Sequence, residues 1–175
     1  MPDDHTQQAI QQAAAALEST LAELAAEYDR LERVGADRLS AIRRADMPAM
    51  AETIGIESKL AARIAELDRR RAEAARDLGV ALGLTDEHTS ASTLARRAAG
   101  RVGDAVLDAA GQLRAVIDRV QRQNARAQIT AQTLAAHMQG VLRAAQGKMN
   151  HSGAYGSQGV VAPGPAVVSM LDMVS

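Results

Sequence analysis

The feature that most constrains this chain is a series of apolar residues in its second half, spaced alternately by three and four positions. The mean step is about 3.5 residues, so the series stays on one side of a long helix and needs a partner helix along its length. We call it the apolar stripe, and its members are Val102, Val106, Ala109, Leu113, Val116, Val120, Ala127, Ala131, Leu134, Met138, Val141 and Ala145.

Composition favours thin contacts between helices over a thick globular core. The chain has 175 residues, of which 47% are hydrophobic but only 1% are aromatic. Much of the apolar fraction is alanine, which favours helix strongly but buries little area per residue. We therefore predict an all-α protein, an elongated antiparallel helical bundle or coiled coil of three long helices with a flexible C-terminal tail.

Helix signals divide the chain into segments. A first helix is predicted over residues 6–44, with Gly35 as a point where it could break, because glycine costs about 1 kcal/mol relative to alanine. Asp46 and Pro48 predict a stop and a restart. A second helix follows to about residue 82, with Ile54 among the residues of its apolar face. A short turn at 94–99 then leads into a third helix that runs to about residue 145.

The character of the chain changes near residue 147. Glycine and proline become frequent, and between His151 and the end Asp172 is the only charged side chain. The predicted domains are therefore a helical bundle over 1–147 and a flexible tail over 148–175.

Charge is unevenly distributed. Residues 1–88 carry 11 Lys and Arg against 17 Asp and Glu, whereas residues 89–147 carry 8 Arg against 3 Asp. Such asymmetry is typical of an interaction surface, but acidic helices that neutralise a basic helix inside one bundle would give the same pattern. The sequence leaves both interpretations open.

Nothing in the sequence indicates an enzyme, a metal site or a cofactor. The four histidines lack helical metal-ligand spacing, and neither a phosphate-binding glycine loop nor a nucleophile elbow is present. The arginines at 69–71 lie among acidic residues, which favours a solvated mixed-charge face over a nucleic-acid surface. No apolar run is long enough to span a membrane, and the acidic start lacks a secretory signal, so a cytoplasmic protein is expected.

Two residues stand out as candidates for binding. Asn124 interrupts the apolar stripe, where a polar residue either sets the register of the helix or bonds to a bound segment. Tyr155 lies in the glycine-rich tail, without a local core to enter. It is either a binding anchor or a tail residue without a role, since tyrosine buries a large rigid area with a polar tip.

Four segments together resemble the flagellar export chaperone family FlgN. Residues 57–71 contain spaced leucines followed by leucine-acid-x-x-arginine, and ALGL at 81–84 is similar to the family's leucine-glycine helix end. Residues 120–144 resemble its asparagine-centred stretch, although Gln121 stands where a first asparagine is expected. YGSQG at 155–159 is similar to its tyrosine-glycine-x-x-glycine signature. The resemblance covers nearly the whole chain to Gly159.

The resemblance implies a cytoplasmic helical chaperone without catalysis, which escorts hook-filament junction proteins to the export gate. Tyr155, Gly156 and Gly159 would dock to the cytoplasmic domain of the gate. The disordered, amphipathic C-terminal segment of the client would become helical in a groove beside the third helix. The residues assigned to client binding are Asn124, Ala127, Ala131, Leu134, Met138, Val141 and Leu142.

Two other classes of protein compete with this prediction. A structural coiled-coil protein would use the third helix to self-associate. A protein that lies on a membrane surface would need a lysine-rich polar face, and only Lys59 and Lys148 are present, so this class ranks last.

Overall fold

The structure is a computed structural model that describes residues 4–84 and 90–152, and all its secondary structure is α-helical. The helices are α1 (Asp4–Arg44), α2 (Met47–Ala81), α3 (Ala91–Ala98) and α4 (Gly100–Ser152). The all-α prediction is confirmed. The predicted count of three helices is corrected to three long helices and one short one, since the turn expected before the third helix is itself a separate helix, α3.

Helix α1 runs without a break through Gly35. The glycine is buried, and a Cβ at its position would lie 3.3 Å from the side chain of Gln123 in α4. The absence of a side chain therefore leaves room for Gln123. A glycine penalty of about 1 kcal/mol is smaller than the free energy gained by burying Ala41 and Ile42 in the next turns of the same helix.

The turn between α1 and α2 is a Schellman motif. The amide of Asp46 donates to the carbonyl of Ala41, and the amide of Ala45 donates to that of Ile42, both at 3.0 Å. Ala45 has a left-handed φ of 52°. The Asp46 carboxylate then accepts from the amide of Ala49 at 3.1 Å and caps α2, as the stop-and-restart signal predicts.

Helices α3 and α4 are separated by one residue, Ala99, and the backbone is left-handed at Ala99 and at Gly100, the first residue of α4. Ser90 caps α3 by accepting from the amide of Thr93 at 3.2 Å. Ala99 and Gly100 then have φ values of 54° and 56°, which end one helix before the next begins. A Cβ at Gly103 would overlap the carbonyl oxygen of Ala95, so glycine is what allows α4 to approach α3 so closely.

The chain forms two compact units, a first unit of Met1–Ala131 and a second unit of Gln132–Ser175. All four helices contribute to one hydrophobic core in the first unit. Its buried members are Ala14, Leu17, Leu21 and Leu24 of α1, Leu67, Ala74 and Leu78 of α2, Leu94 and Ala95 of α3, and Val106, Ala109 and Leu113 of α4. Each of the three predicted long helices therefore contributes an apolar face.

Ion pairs define the relative directions of the long helices in the first unit. Glu23 of α1 pairs with Arg63 of α2 at 3.5 Å, and Arg38 of α1 pairs with Glu57 at 2.7 Å, so α1 and α2 are antiparallel. Arg119 of α4 contacts α1 at Asp29, and Asn124 contacts it further along, at Arg38. Helix α4 is therefore parallel to α1 and antiparallel to α2.

Two sequence predictions need correction. Ile54, assigned to the apolar face of α2, is 54% exposed. The third long helix continues through Gly147 to Ser152, past the expected end at residue 145. The domain boundary at 147 and the flexible tail remain predictions, because residues 153–175 lie outside the described part.

Candidate functional site

Within the first unit, the apolar stripe is mostly packed. Val102 is half-buried. The buried members are Val106, Ala109, Leu113, Val116, Val120 and Ala127. This part of the stripe faces the protein's own helices and leaves little apolar surface for a ligand.

Within the second unit, the same spacing produces an exposed apolar surface. Leu134 is half-buried, whereas Met138, Val141 and Leu142 are 54%, 56% and 61% exposed. Counted from Leu134, the other three lie at i+4, i+7 and i+8, which places all four on one face of α4. We call these four residues the terminal stripe. An amphipathic helix with such a face is suited to pair with another helix.

The other three residues assigned to client binding lie in the first unit. Ala127 is 3% exposed, so its methyl group is already covered, and the structure removes it from the candidate surface. Ala131 is half-buried. Asn124 is exposed, and its Oδ1 accepts a hydrogen bond from Nη2 of Arg38 at 2.8 Å. The residues proposed for gate docking, Tyr155, Gly156 and Gly159, lie outside the described residues.

Asn124 is part of a polar bridge that joins the three long helices. Arg38 donates from one guanidinium nitrogen to Glu57 of α2 at 2.7 Å and from the other to Asn124 of α4 at 2.8 Å. Its Nε is buried without an acceptor among the described atoms. A bridge of this geometry fixes how far each helix is displaced along its neighbours, which is the register-setting role considered for Asn124.

A second polar contact joins α4 to α1. Arg119 donates from Nη2 to Asp29 at 2.7 Å and from Nε to both oxygens of Glu32, at 3.0 and 3.2 Å. The hydrogen bond with Glu32, together with the charges of both carboxylates, raises the pKa of Arg119 above its ordinary value. Its charge is thus neutralised locally by α1.

Arg119 lies in a groove of about 650 Å³ between α1 and α4 of the first unit. We call it the arginine groove. Its lining residues are Asp29, Glu32, Arg33, Ala36, Leu39, Ser40, Arg43, Arg119, Arg122, Gln123 and Arg126. This groove was not predicted from the sequence. The signal was present in part, since Arg119, Arg122 and Arg126 follow one another at helical spacing, but the facing arginines of α1 could be found only once the register was known.

The uneven charge has two interpretations, neutralisation inside the bundle and an interaction surface, and different arginines support each of them. Arg119 is neutralised by acidic residues of α1, whereas Arg122 and Arg126 form no ion pair with any described side chain. On α2, Arg69 pairs with Glu66 at 2.5 Å and Arg71 with Asp68 at 2.7 Å, which supports the mixed-charge interpretation of that run.

Two other kinds of feature are absent from the described residues. Across 4–84 and 90–152, no helix is both long and apolar enough to cross a membrane. In the same residues, no group of three or more His, Cys, Asp or Glu side chains is arranged to hold a metal ion.

Comparison with known proteins identifies the family. A search of curated proteins found no match. A search of solved structures found none either. The family model described as FlgN protein matches residues 7–163, which is most of the chain and includes all of α2, α3 and α4. The chain therefore belongs to the FlgN family of flagellar export chaperones.

Proposed function

We propose that this protein is a chaperone for hook-filament junction proteins and holds their disordered, amphipathic C-terminal segments on the terminal stripe. It acts in the cytoplasm, by binding and without catalysis, and delivers its clients to the export gate. The observation that carries the proposal is the exposed apolar face of Met138, Val141 and Leu142 in a member of a flagellar export chaperone family.

The chemistry of the terminal stripe suits more than one related client. A disordered segment that becomes helical on binding loses conformational entropy, so its affinity depends on a few apolar anchors that are well buried in the complex. Methionine has three rotatable bonds and a polarisable sulfur, which lets Met138 adapt to different anchors.

The binding free energy that the terminal stripe can contribute is moderate. Complete burial of a Val, Leu or Met side chain contributes about 1.5–3 kcal/mol. Met138 and Leu142 are 54% and 61% exposed in the free protein, so about half of that contribution remains to be gained. Each side chain would then contribute about 0.8–1.5 kcal/mol, and the two together about 1.5–3 kcal/mol.

The decisive experiment removes these two anchors without disturbing the helix. In the double variant Met138→Gln and Leu142→Gln, glutamine keeps a helix propensity close to that of methionine and leucine. Calorimetric titration uses a peptide that spans the C-terminal segment of a junction protein from the same organism. We expect the double variant to bind it about 10- to 150-fold more weakly.

A matched control lies on the opposite face of the same helical turns. Ala136→Gln adds the same side chain at an exposed position and should change the affinity less than about twofold. Unchanged affinity in the double variant, with normal helicity by circular dichroism, would show that clients do not use the terminal stripe.

Docking to the export gate is assigned to Tyr155, Gly156 and Gly159, on the resemblance of YGSQG to the family's tail signature. Replacing Tyr155 with alanine should leave client affinity unchanged while weakening binding to the cytoplasmic domain of the gate. A loss of client affinity or of thermal stability in this variant would contradict the assignment.

Self-association remains the second candidate function. The same exposed face of α4 that favours a client helix would also allow two copies of the chain to pair. The two functions predict different masses in solution.

A further inference from the structure

The arginine groove contains more positive charge than the protein itself neutralises. Five arginines line it, against the two carboxylates of Asp29 and Glu32, which leaves an excess of three positive charges. Both carboxylates are already bound to Arg119. The other four arginines, Arg33, Arg43, Arg122 and Arg126, form no ion pair with any side chain that the structure describes.

This concentration of charge gives the groove a positive potential that favours an anionic ligand. Like charges that face each other across a groove repel, and low-dielectric walls focus the resulting field. The whole chain has a formal net charge of only −1. The excess is therefore local to this groove and does not reflect a basic protein.

The dimensions of the groove suit an extended anionic ligand better than a single small anion. Arg33 and Arg43 are ten residues apart on α1, which is about 15 Å along a helix. Arg122 and Arg126 lie one turn apart on α4, on the other wall. The four guanidinium groups thus match anionic groups distributed over two to three turns of a bound helix.

We propose that the arginine groove binds an acidic, amphipathic helical segment of a partner protein. Carboxylates along one face of that helix would pair with Arg33, Arg43, Arg122 and Arg126. An apolar side chain between them would contact Leu39, which is half-buried in the lining. The groove lies in the first unit and shares no residue with the terminal stripe, so this partner is additional to the client of the proposed function.

The composition of the lining favours a peptide over a nucleic acid. Asp29 and Glu32 line part of the groove, and they would repel a continuous phosphate backbone. No aromatic side chain is among the lining residues on which a base could stack. A peptide can place an uncharged residue next to Asp29 and Glu32. A nucleic acid cannot, because every unit of its backbone carries a negative charge.

The test uses a fluorescein-labelled synthetic helix of about four turns with glutamates on one face and leucines beside them. Anisotropy is measured with the full-length protein at about 0.1 M salt and again at about 1 M, where charges are strongly screened. We expect saturable binding at low salt that largely disappears at high salt. A peptide with lysine in place of each glutamate should not bind.

Two pairs of substitutions localise the binding. Arg122→Gln with Arg126→Gln removes charge from one wall, and Arg33→Gln with Arg43→Gln removes it from the other. Each pair should weaken binding about tenfold or more. The control, Arg76→Gln with Arg97→Gln, changes the net charge equally at exposed sites outside the groove and should weaken binding less than about twofold.

Three results would overturn the proposal. If the groove and control variants lose affinity for the acidic helix equally, the helix is attracted by the overall charge of the protein and does not bind in the groove. A thymidine oligonucleotide that binds more tightly than the peptide, and loses affinity with the groove substitutions, would identify a nucleic-acid surface. A dimer of the free protein that the groove substitutions dissociate would identify a second copy of the chain as the occupant.

This test and the test of the proposed function can fail independently, because each uses its own variants and its own peptide. The Met138→Gln and Leu142→Gln variant should retain affinity for the acidic helix, and the groove variants should retain affinity for the client peptide. Circular dichroism and the thermal midpoint confirm folding, which the exposed positions of the four arginines should leave intact.

Discussion

At the scale of single residues, the same helix-ending motif occurs twice with different residues at its critical position. After α2, the amide of Leu84 donates to the carbonyl of Gly79 and that of Gly83 to Val80, with Gly83 at a φ of 70°. After α1, the equivalent left-handed position is occupied by Ala45, at 52°. Glycine adopts this conformation freely, whereas a residue with a Cβ is strained by it.

Exchanging the residue types at these positions should have opposite effects. Ala45→Gly should raise the free energy of unfolding by about 0.5–1 kcal/mol, because strain relief exceeds the added entropy of the unfolded chain. Gly83→Ala should lower it by about 1 kcal/mol. Urea denaturation of the two variants measures both, and a stabilised Gly83→Ala protein would contradict the assigned turn geometry.

At the scale of helices, the packing of α3 against α4 depends on one close approach. Gly103 faces the backbone carbonyl of Ala95, whereas Gly111, two turns further along α4, has no neighbouring atom within 4 Å of a Cβ at its position. The two glycines lie in the same helix, so intrinsic propensity affects them alike and only their surroundings differ.

Alanine substitution should therefore distinguish the two positions. Gly111→Ala should stabilise the protein by about 0.5–1 kcal/mol through helix propensity alone. Gly103→Ala should destabilise it by about 1–3 kcal/mol, since backbone must move to admit the methyl group. Thermal denaturation followed by circular dichroism measures the pair. Equal stabilisation by both would mean that α3 does not pack against α4 at this point.

Local signals explain why much of the helical architecture was predictable. The end of α1 and the start of α2 depend on neighbouring residues, Asp46 and Pro48, which the sequence shows directly. The separation of α3 from α4 depends instead on left-handed backbone at Ala99, for which alanine gives no signal. Gly35 indicates a possible break because the low helix propensity of glycine can be recognised in the sequence. The tertiary packing that keeps α1 continuous cannot.

For the candidate surfaces too, the features that depend on local sequence could be predicted and those that depend on tertiary packing could not. The positions of the terminal stripe could be predicted because 3.5-residue spacing reveals a helix face. Spacing alone does not show its exposure, because Val106 and Val120 have the same spacing and are buried. Length does indicate it, since the third predicted helix is longer than the second and so leaves part of its stripe without an internal partner. The arginine groove depends on Arg119 lying opposite Asp29 and Glu32, and spacing within one helix does not determine the register between two helices.

At the scale of the whole molecule, stability and client binding are assigned to different units. The first unit contains the hydrophobic core, with Leu67 completely buried, whereas the second unit presents the exposed Met138. Residues of the core should therefore determine folding, and residues of the terminal stripe should contribute little to it.

Truncation of one side chain in each unit tests this separation. Leu67→Ala should lower the free energy of unfolding by about 2–5 kcal/mol, because it leaves a cavity in the core. Met138→Ala should change it by less than about 0.5 kcal/mol. Chemical denaturation of both variants measures the difference. A large cost for Met138→Ala would show that its side chain is packed and not available to a client.

The mass of the protein in solution shows whether the terminal stripe is open to the helix of a client. The full-length protein is measured alone and with the junction-protein peptide, by light scattering coupled to gel filtration. We expect an 18.4 kDa monomer that binds one peptide per chain. A tight oligomer whose mass does not change when the peptide is added would contradict it.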